Sequence, residues 1–282
     1  MPQDESPLLA RSDKSFWHGY LDFYGAHLPK DIRGLIVEFG VFKGHSIQWL
    51  LHTYPAAQII GVDILPVQPE WPTGSRVTYR QLDQGSEDQV RSFFDGIRPP
   101  ALILDDGSHV PAHQSRCLKH GFNRLKPGGM YILEDIHTSH PAHPLHQREF
   151  HANRAIRWLS GVLPSRKAAR PDHQTALTLL LALEHIRRSG RDRLSDRERA
   201  VLSAGTHFTE ADVLRLHAQI QAIHVYKRAT LPAACYACGA TSFDYHRLKC
   251  GCGVDLLGEA DSMSVLIVKN GSDSVEMKPA GT

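Results

Sequence analysis

Cysteine is scarce in this 282-residue chain: there are five, an odd number, and four of them fall between Cys235 and Cys252. That distribution argues against a secreted disulfide framework and for a local metal clip. An excess of one charge is also missing. Lys and Arg number 32 against 30 Asp and Glu, and the net of +2 is too small to pull the chain onto nucleic acid. No apolar run is long enough to span a bilayer; the best, TALTLLLALEHIRR, is interrupted by Glu184 and ends basic. The segment MPQDESPLLARSDKS has no apolar core of the kind a signal peptide needs. These shortages lead us to expect a cytoplasmic protein with neither a membrane nor a nucleic-acid partner. No internal repeat is visible, and the dinucleotide turn G-x-G-x-x-G is absent.

What is present is an alternation of short apolar runs with helical patterns, the mark of a parallel α/β sheet. The runs are LIVEFG (35–40), QIIGVDI (58–64), RVTYRQL (76–82), ALILDD (101–106) and MYILEDI (130–136). Each is almost continuously apolar, as a strand covered on both faces must be. Helices are expected at 46–53, 87–94 and 113–125. Beyond Ile136 the pattern turns helical, at 152–159, 174–188 and 210–221, between Pro- and Arg-rich stretches. Two further strands, 222–229 and 264–270, close the chain. The expected architecture is a Rossmann-like, mostly parallel seven-stranded sheet. Its divisions would be an N-terminal helical segment (1–34), a core (35–270) with a helical insertion (141–221) and a Cys-rich hairpin tip (233–255), and a flexible tail (271–282).

Three motifs point to a nucleoside cofactor. Glu38-Phe-Gly40-Val-Phe-Lys-Gly44-His-Ser46 links the first strand to a helix, with glycines where backbone can approach a ligand closely. Asp63 ends the second strand, where an acid can accept hydrogen bonds from ribose hydroxyls. Leu125-Lys-Pro127-Gly128-Gly129 reverses the chain into the fifth strand.

Two acidic motifs point to the chemistry. Asp105-Asp106-Gly107-Ser108-His109 follows the fourth strand and Glu134-Asp135-Ile136-His137-Thr138-Ser139 the fifth. Ligands in open α/β sheets bind beyond the carboxyl ends of the strands, so both motifs face one crevice. Neighbouring carboxylates repel unless a cation lies between them, and oxygen ligands suit Mg²⁺ or a similar hard ion.

The L-x-P-G-G turn resembles that of class I S-adenosylmethionine-dependent methyltransferases. D-D-G-S-H followed by E-D-x-H-T-S resembles the metal-dependent sugar O-methyltransferases of macrolide biosynthesis. This resemblance implies S-adenosylmethionine held by Glu38, Gly40, Gly44, Ser46 and Asp63, with Asp83, Gln84 and Asp105 at its border. It implies Mg²⁺ on Asp106 and Asp135 and His109 as the base. The implied partner is a small molecule with an acceptor hydroxyl, glycosylated in the family, and the chain could be a homo-oligomer. Two other readings stay open: an NAD-dependent oxidoreductase, and a non-catalytic zinc-containing interaction module.

Two clusters lie outside these motifs. Cys235-Tyr-Ala-Cys238-Gly resembles a zinc knuckle, and Cys250-Gly-Cys252-Gly is a tighter second pair; four thiolates could hold a structural Zn²⁺ remote from the chemistry. His137, His140, His143 and His146 recur in a segment interrupted by Pro141 and Pro144, which suggests a loop over the crevice. Cys117 reads as a packing residue.

Overall fold

The computed structural model describes residues 12–149, 174–204, 207–257 and 262–271. Seven strands form one sheet: β1 (Gly34–Phe39), β2 (Ala57–Asp63), β3 (Val77–Gln81), β4 (Leu102–Asp105), β5 (Met130–Leu133), β6 (Ile220–Lys227) and β7 (Met263–Lys269). Their order is β3-β2-β1-β4-β5-β7-β6. The first five are parallel, and β7 runs antiparallel between β5 and β6. The expected sheet is therefore present.

Side-chain alternation divides the sheet's residues between two cores. On β1, Leu35, Val37 and Phe39 point to one face and Ile36 to the other. The first face is covered by α4 (Glu87–Asp95), α5 (Pro111–Arg124), α7 (Ala176–Arg188) and α9 (Glu210–Gln219). The second is covered by α2 (Tyr20–His27) and α3 (His45–Thr53). Central strands buried on both sides explain the unbroken apolar runs, since β4 and β5 are fully buried. Edge strand β3 is mostly exposed, and its sequence alternates with Thr, Arg and Gln.

Three differences from the sequence expectation have local causes. The helix expected to run to 221 stops at Gln219, because Ile220 turns extended and begins β6. Pro144 does not break a helix; residues 144–149 are helical (α6) with Pro at the first position, where no intrahelical N–H is needed. Two short helices carry no strong apolar stripe and were not individually foreseen: α1 (Asp13–Phe16) and α8 (Asp196–Leu202). The helix expected at 152–159 lies outside the described residues. Among the described residues, no helix is long and apolar enough to cross a membrane.

Candidate active site

The sheet's strand order reverses between β1 and β4, and a crevice of about 760 Å³ lies beyond their carboxyl ends. That is the expected place for a ligand in an open α/β fold, and the size is that of a small-molecule site.

The floor is made by two turns pressed together. Gly40 has φ of 85°, and a Cβ there would stand 1.9 Å from the Asp106 carbonyl oxygen. Only glycine lets the β1 and β4 turns meet. Asp63, at the end of β2, accepts from the backbone N–H groups of Val41 (2.8 Å), Phe42 (3.3 Å) and Leu65 (3.0 Å). Its carboxylate thus fixes the turn that approaches the ligand. Beyond β3, the Gln84 amide donates to Asp105 (2.9 Å), and its carbonyl accepts from the Ser108 N–H (2.9 Å).

Of the residues singled out by sequence, Gly40, Ser46, Asp63, Asp83, Gln84, Asp106, His109 and Asp135 line this one crevice. Glu38, Gly44 and Asp105 are buried beside or beneath it. Asp105 is held by Gln84 and by the Tyr131 hydroxyl (2.9 Å), and burial raises its pKa to about 6 against those hydrogen bonds. It braces the crevice wall from below. Burial likewise pushes Glu38 up to about 7, opposed by the Lys14 charge and the Ser46 hydroxyl.

The acidic motifs converge as the strand ends dictate. His109 Nε2 stands 3.8 Å from Asp106 and 3.9 Å from Asp135. The Thr138 hydroxyl donates to the His109 carbonyl (2.7 Å), locking the two turns to each other. Both His109 (φ 56°) and Asp135 (φ 47°) occupy the left-handed region, as does Phe42 on the crevice rim (φ 48°). Non-glycine residues there are strained, and such strain concentrates at functional sites. Asp135 accepts from the Tyr20 hydroxyl (2.5 Å) and faces His18 (3.8 Å) and His137 (3.9 Å). Burial opposes its charge, yet these imidazoles, His109 and Tyr20 hold its pKa below the usual carboxylate value.

One residue reaches this cluster from far away in sequence. Lys14, on α1, pairs through its ammonium with Asp106 and with Glu134 (2.5 Å), and it is buried. Burial works against its charge, but Asp106, Glu134 and Glu38 outweigh it and raise its pKa well above the ordinary value. Sequence reading missed Lys14 and Tyr20, and it placed Glu134 in the acidic motif without giving it a role; nothing local marks a lysine whose partners lie 92 and 120 positions away.

Asp106, His109 and Asp135 place one ligand atom each within 4.8 Å of one another. The two carboxylates fit a hard divalent cation, and the imidazole stands beside them. Lys14 engages one oxygen of Asp106 and leaves the other toward His109. The four cysteines form a second such group. They are not remote from the crevice, contrary to expectation: Tyr236, between Cys235 and Cys238, lines it. Chain reversal after β6 brings the Cys-rich segment back against α1, a contact that no local pattern announces.

Comparison with known proteins agrees with this geometry. A methyltransferase-domain family matches residues 37–136. The 8-demethyl-8-alpha-L-rhamnosyl tetracenomycin-C 2'-O-methyltransferase of Streptomyces olivaceus is 32% identical over 46% of this chain and 36% of its own length. The mycinamicin VI 2''-O-methyltransferase of Micromonospora griseorubida is 27% identical over 44% and 33%. The matched region is thus little more than a third of the length of these curated relatives. Among solved structures, MycE methyltransferase from the mycinamycin pathway, in complex with Mg, SAH and mycinamycin VI, superposes with a TM-score of 0.52 at 19% identity. That superposition covers 94% of this chain and 53% of MycE, and it supports the fold. Residues 37–136 thus match a methyltransferase domain, in a chain whose sheet has the fold of a solved methyltransferase and which is similar over less than half its length to O-methyltransferases of tetracenomycin and mycinamicin compounds.

Proposed function

We propose that the chain is an O-methyltransferase that transfers the methyl group of S-adenosylmethionine to a hydroxyl of a glycosylated small molecule. The observation that carries this reading is the convergence of Asp106, His109 and Asp135 at the switch point of a methyltransferase sheet. Of the two relatives named above, one is an O-methyltransferase of a rhamnosyl tetracenomycin and the other of mycinamicin VI.

The cofactor supplies an electrophilic methyl on sulfur, so the protein's work is to orient and deprotonate the acceptor. Asp63 is suited to accept from a ribose hydroxyl, having a free acceptor site on Oδ1 beside its three backbone contacts. Gly40 and Ser46 would border the methionine portion, with Asp83 and Gln84 on the nucleoside side. Asp106 and Asp135 would hold Mg²⁺, which when bound lowers the pKa of a hydroxyl and fixes its oxygen. His109 would take the acceptor proton. Its Nδ1 is buried with no hydrogen-bond partner, while Nε2 faces the carboxylates and the open crevice.

The test is calorimetry with S-adenosylhomocysteine, together with transfer of labelled methyl to a panel of glycosylated polyketides and simple glycosides. Asp63→Ala should weaken S-adenosylhomocysteine binding by about 1.5–3 kcal/mol, the worth of hydrogen bonds to a charged group. His109→Ala should bind it normally and lose about 10²–10⁴-fold in turnover. Absence of S-adenosylhomocysteine binding would overturn the reading. Full activity in EDTA would remove the metal, and a His109→Ala enzyme as fast as wild type would remove the base.

A further inference from the structure

The four cysteines form two matched turns. In the first, Cys235 N–H donates to the Ala240 carbonyl and Gly239 N–H to the Cys235 carbonyl, both at 2.8 Å. In the second, Cys250 N–H donates to Val254 and Gly253 N–H to Cys250, again at 2.8 Å. The second turn is one residue shorter, which is why its spacing is C-x-C, yet it closes with the same pair of bonds. The N–H groups of Ala237 and Cys238 point at the Cys235 sulfur, and that of Ala240 at Cys238.

The sulfurs are 3.7 Å apart for Cys235 and Cys252 and 3.4 Å apart for Cys238 and Cys250, and all four lie within 4.8 Å. These separations exceed the disulfide bond length of about 2.05 Å. Four sulfurs around a tetrahedral zinc at about 2.3 Å would stand roughly 3.8 Å apart.

This knuckle packs on α1. Ala233 and Ala234 N–H donate to the Phe16 carbonyl at 2.8 and 3.3 Å. Trp17 is buried in a small cluster with Cys235, Cys250 and Leu256. Its ring meets Tyr236 edge-on at 4.7 Å and carries the Arg228 guanidinium at 4.5 Å. Three residues before Trp17 is Lys14, and Tyr236 itself faces the crevice while 59% exposed.

We propose that Cys235, Cys238, Cys250 and Cys252 bind one Zn²⁺, and that the zinc-held knuckle is the outer wall of the acceptor site. It clamps α1, and with it Lys14, over Asp106 and Glu134, and it presents Tyr236 to the acceptor. The acceptor part rests on the methyltransferase reading; the zinc and the clamp do not.

Elemental analysis of the purified chain should find about one zinc, retained through dialysis against EDTA that strips Mg²⁺. The exposed pair is changed in C238S/C252S. This variant should lose zinc, and its amides at 14–18 should exchange hydrogen at least tenfold faster, with those of β1 and β4 unchanged. Wild type stripped of zinc by an organomercurial gives the same comparison should the variant not fold. Tyr236→Ala should keep zinc and raise acceptor KM about tenfold, leaving KM for S-adenosylmethionine and kcat unchanged. Four freely titrating thiols in native zinc-free protein would overturn the site. Unchanged exchange at 14–18 after zinc loss would overturn the clamp, and an unchanged acceptor KM in Tyr236→Ala would overturn the wall. A zinc-bearing, clamped chain that transfers no methyl would instead reject the methyltransferase reading.

Discussion

Lys14 brings the only lysine ammonium that pairs with the strand-end carboxylates among the described residues. Removing one partner of a buried ion pair leaves uncompensated charge, at a cost of about 3–5 kcal/mol. Lys14→Met should therefore lower the melting temperature of the ligand-free protein, and Mg²⁺ should recover more stability in the variant than in wild type. Thermal unfolding with and without Mg²⁺ measures both; equal stability of the two proteins would contradict the burial argument. Glu38 makes a second prediction, about pH. Its pKa rises on folding from 4.5 to about 7, chiefly because it is buried. The folded state therefore holds this proton more tightly than the unfolded state does. The stability it contributes is present below pH 4.5 and is lost as pH rises through 7. A shift of this size is worth on the order of 3 kcal/mol. Glu38→Gln should flatten that part of the pH–stability curve, and the difference between variant and wild type should grow from pH 4.5 to 7. A constant difference across that range would show that Glu38 does not titrate there.

At the scale of elements, α7 shows how the helical segment beyond β5 is tied to the sheet. Leu179, Leu180 and Leu183 are wholly buried in the same core as Val37, Ile103 and Leu133. Leu183→Ala should cost about 2–5 kcal/mol in urea unfolding, the range for emptying a packed site. A cost below 1 kcal/mol would mean that α7 is loosely docked. Elements such as α7 were legible in the sequence because an apolar stripe or an apolar run is a local property. So were the two acidic turns that converge on the crevice, since β4 and β5 deliver Asp106, His109 and Asp135 directly from their ends. What was not legible was long-range or short. Helix α1 has four residues and no stripe, yet it carries Lys14. The onset of β6 at Ile220 follows a helix without a Gly or Pro to mark the change. The place of the cysteines beside the crevice follows from packing on Trp17, which no spacing rule encodes.

For the whole molecule, the decisive feature is the last strand. In the sheet, β7 separates β5 from β6, so β6 has no other neighbour. A chain ending at residue 257 should leave the β5 edge open and β6 unpaired, and should lose its cooperative thermal transition in circular dichroism. A truncated chain that melts like the full one would mean that the first five strands suffice. The same order governs the chain as it is made. About 36 residues separate the end of β6 from the start of β7. At an elongation rate of about 5–20 residues per second, β6 waits roughly 2–7 s outside the ribosome with both edges bare. Lys14 waits longer still, solvated near the start of the chain until Asp106 and Glu134 have emerged, and Trp17 until Cys235 and Cys250 have. A nascent chain stalled before β7 therefore presents a sticky sheet edge, although Lys14, Asp106, His109 and Asp135 have all emerged by then.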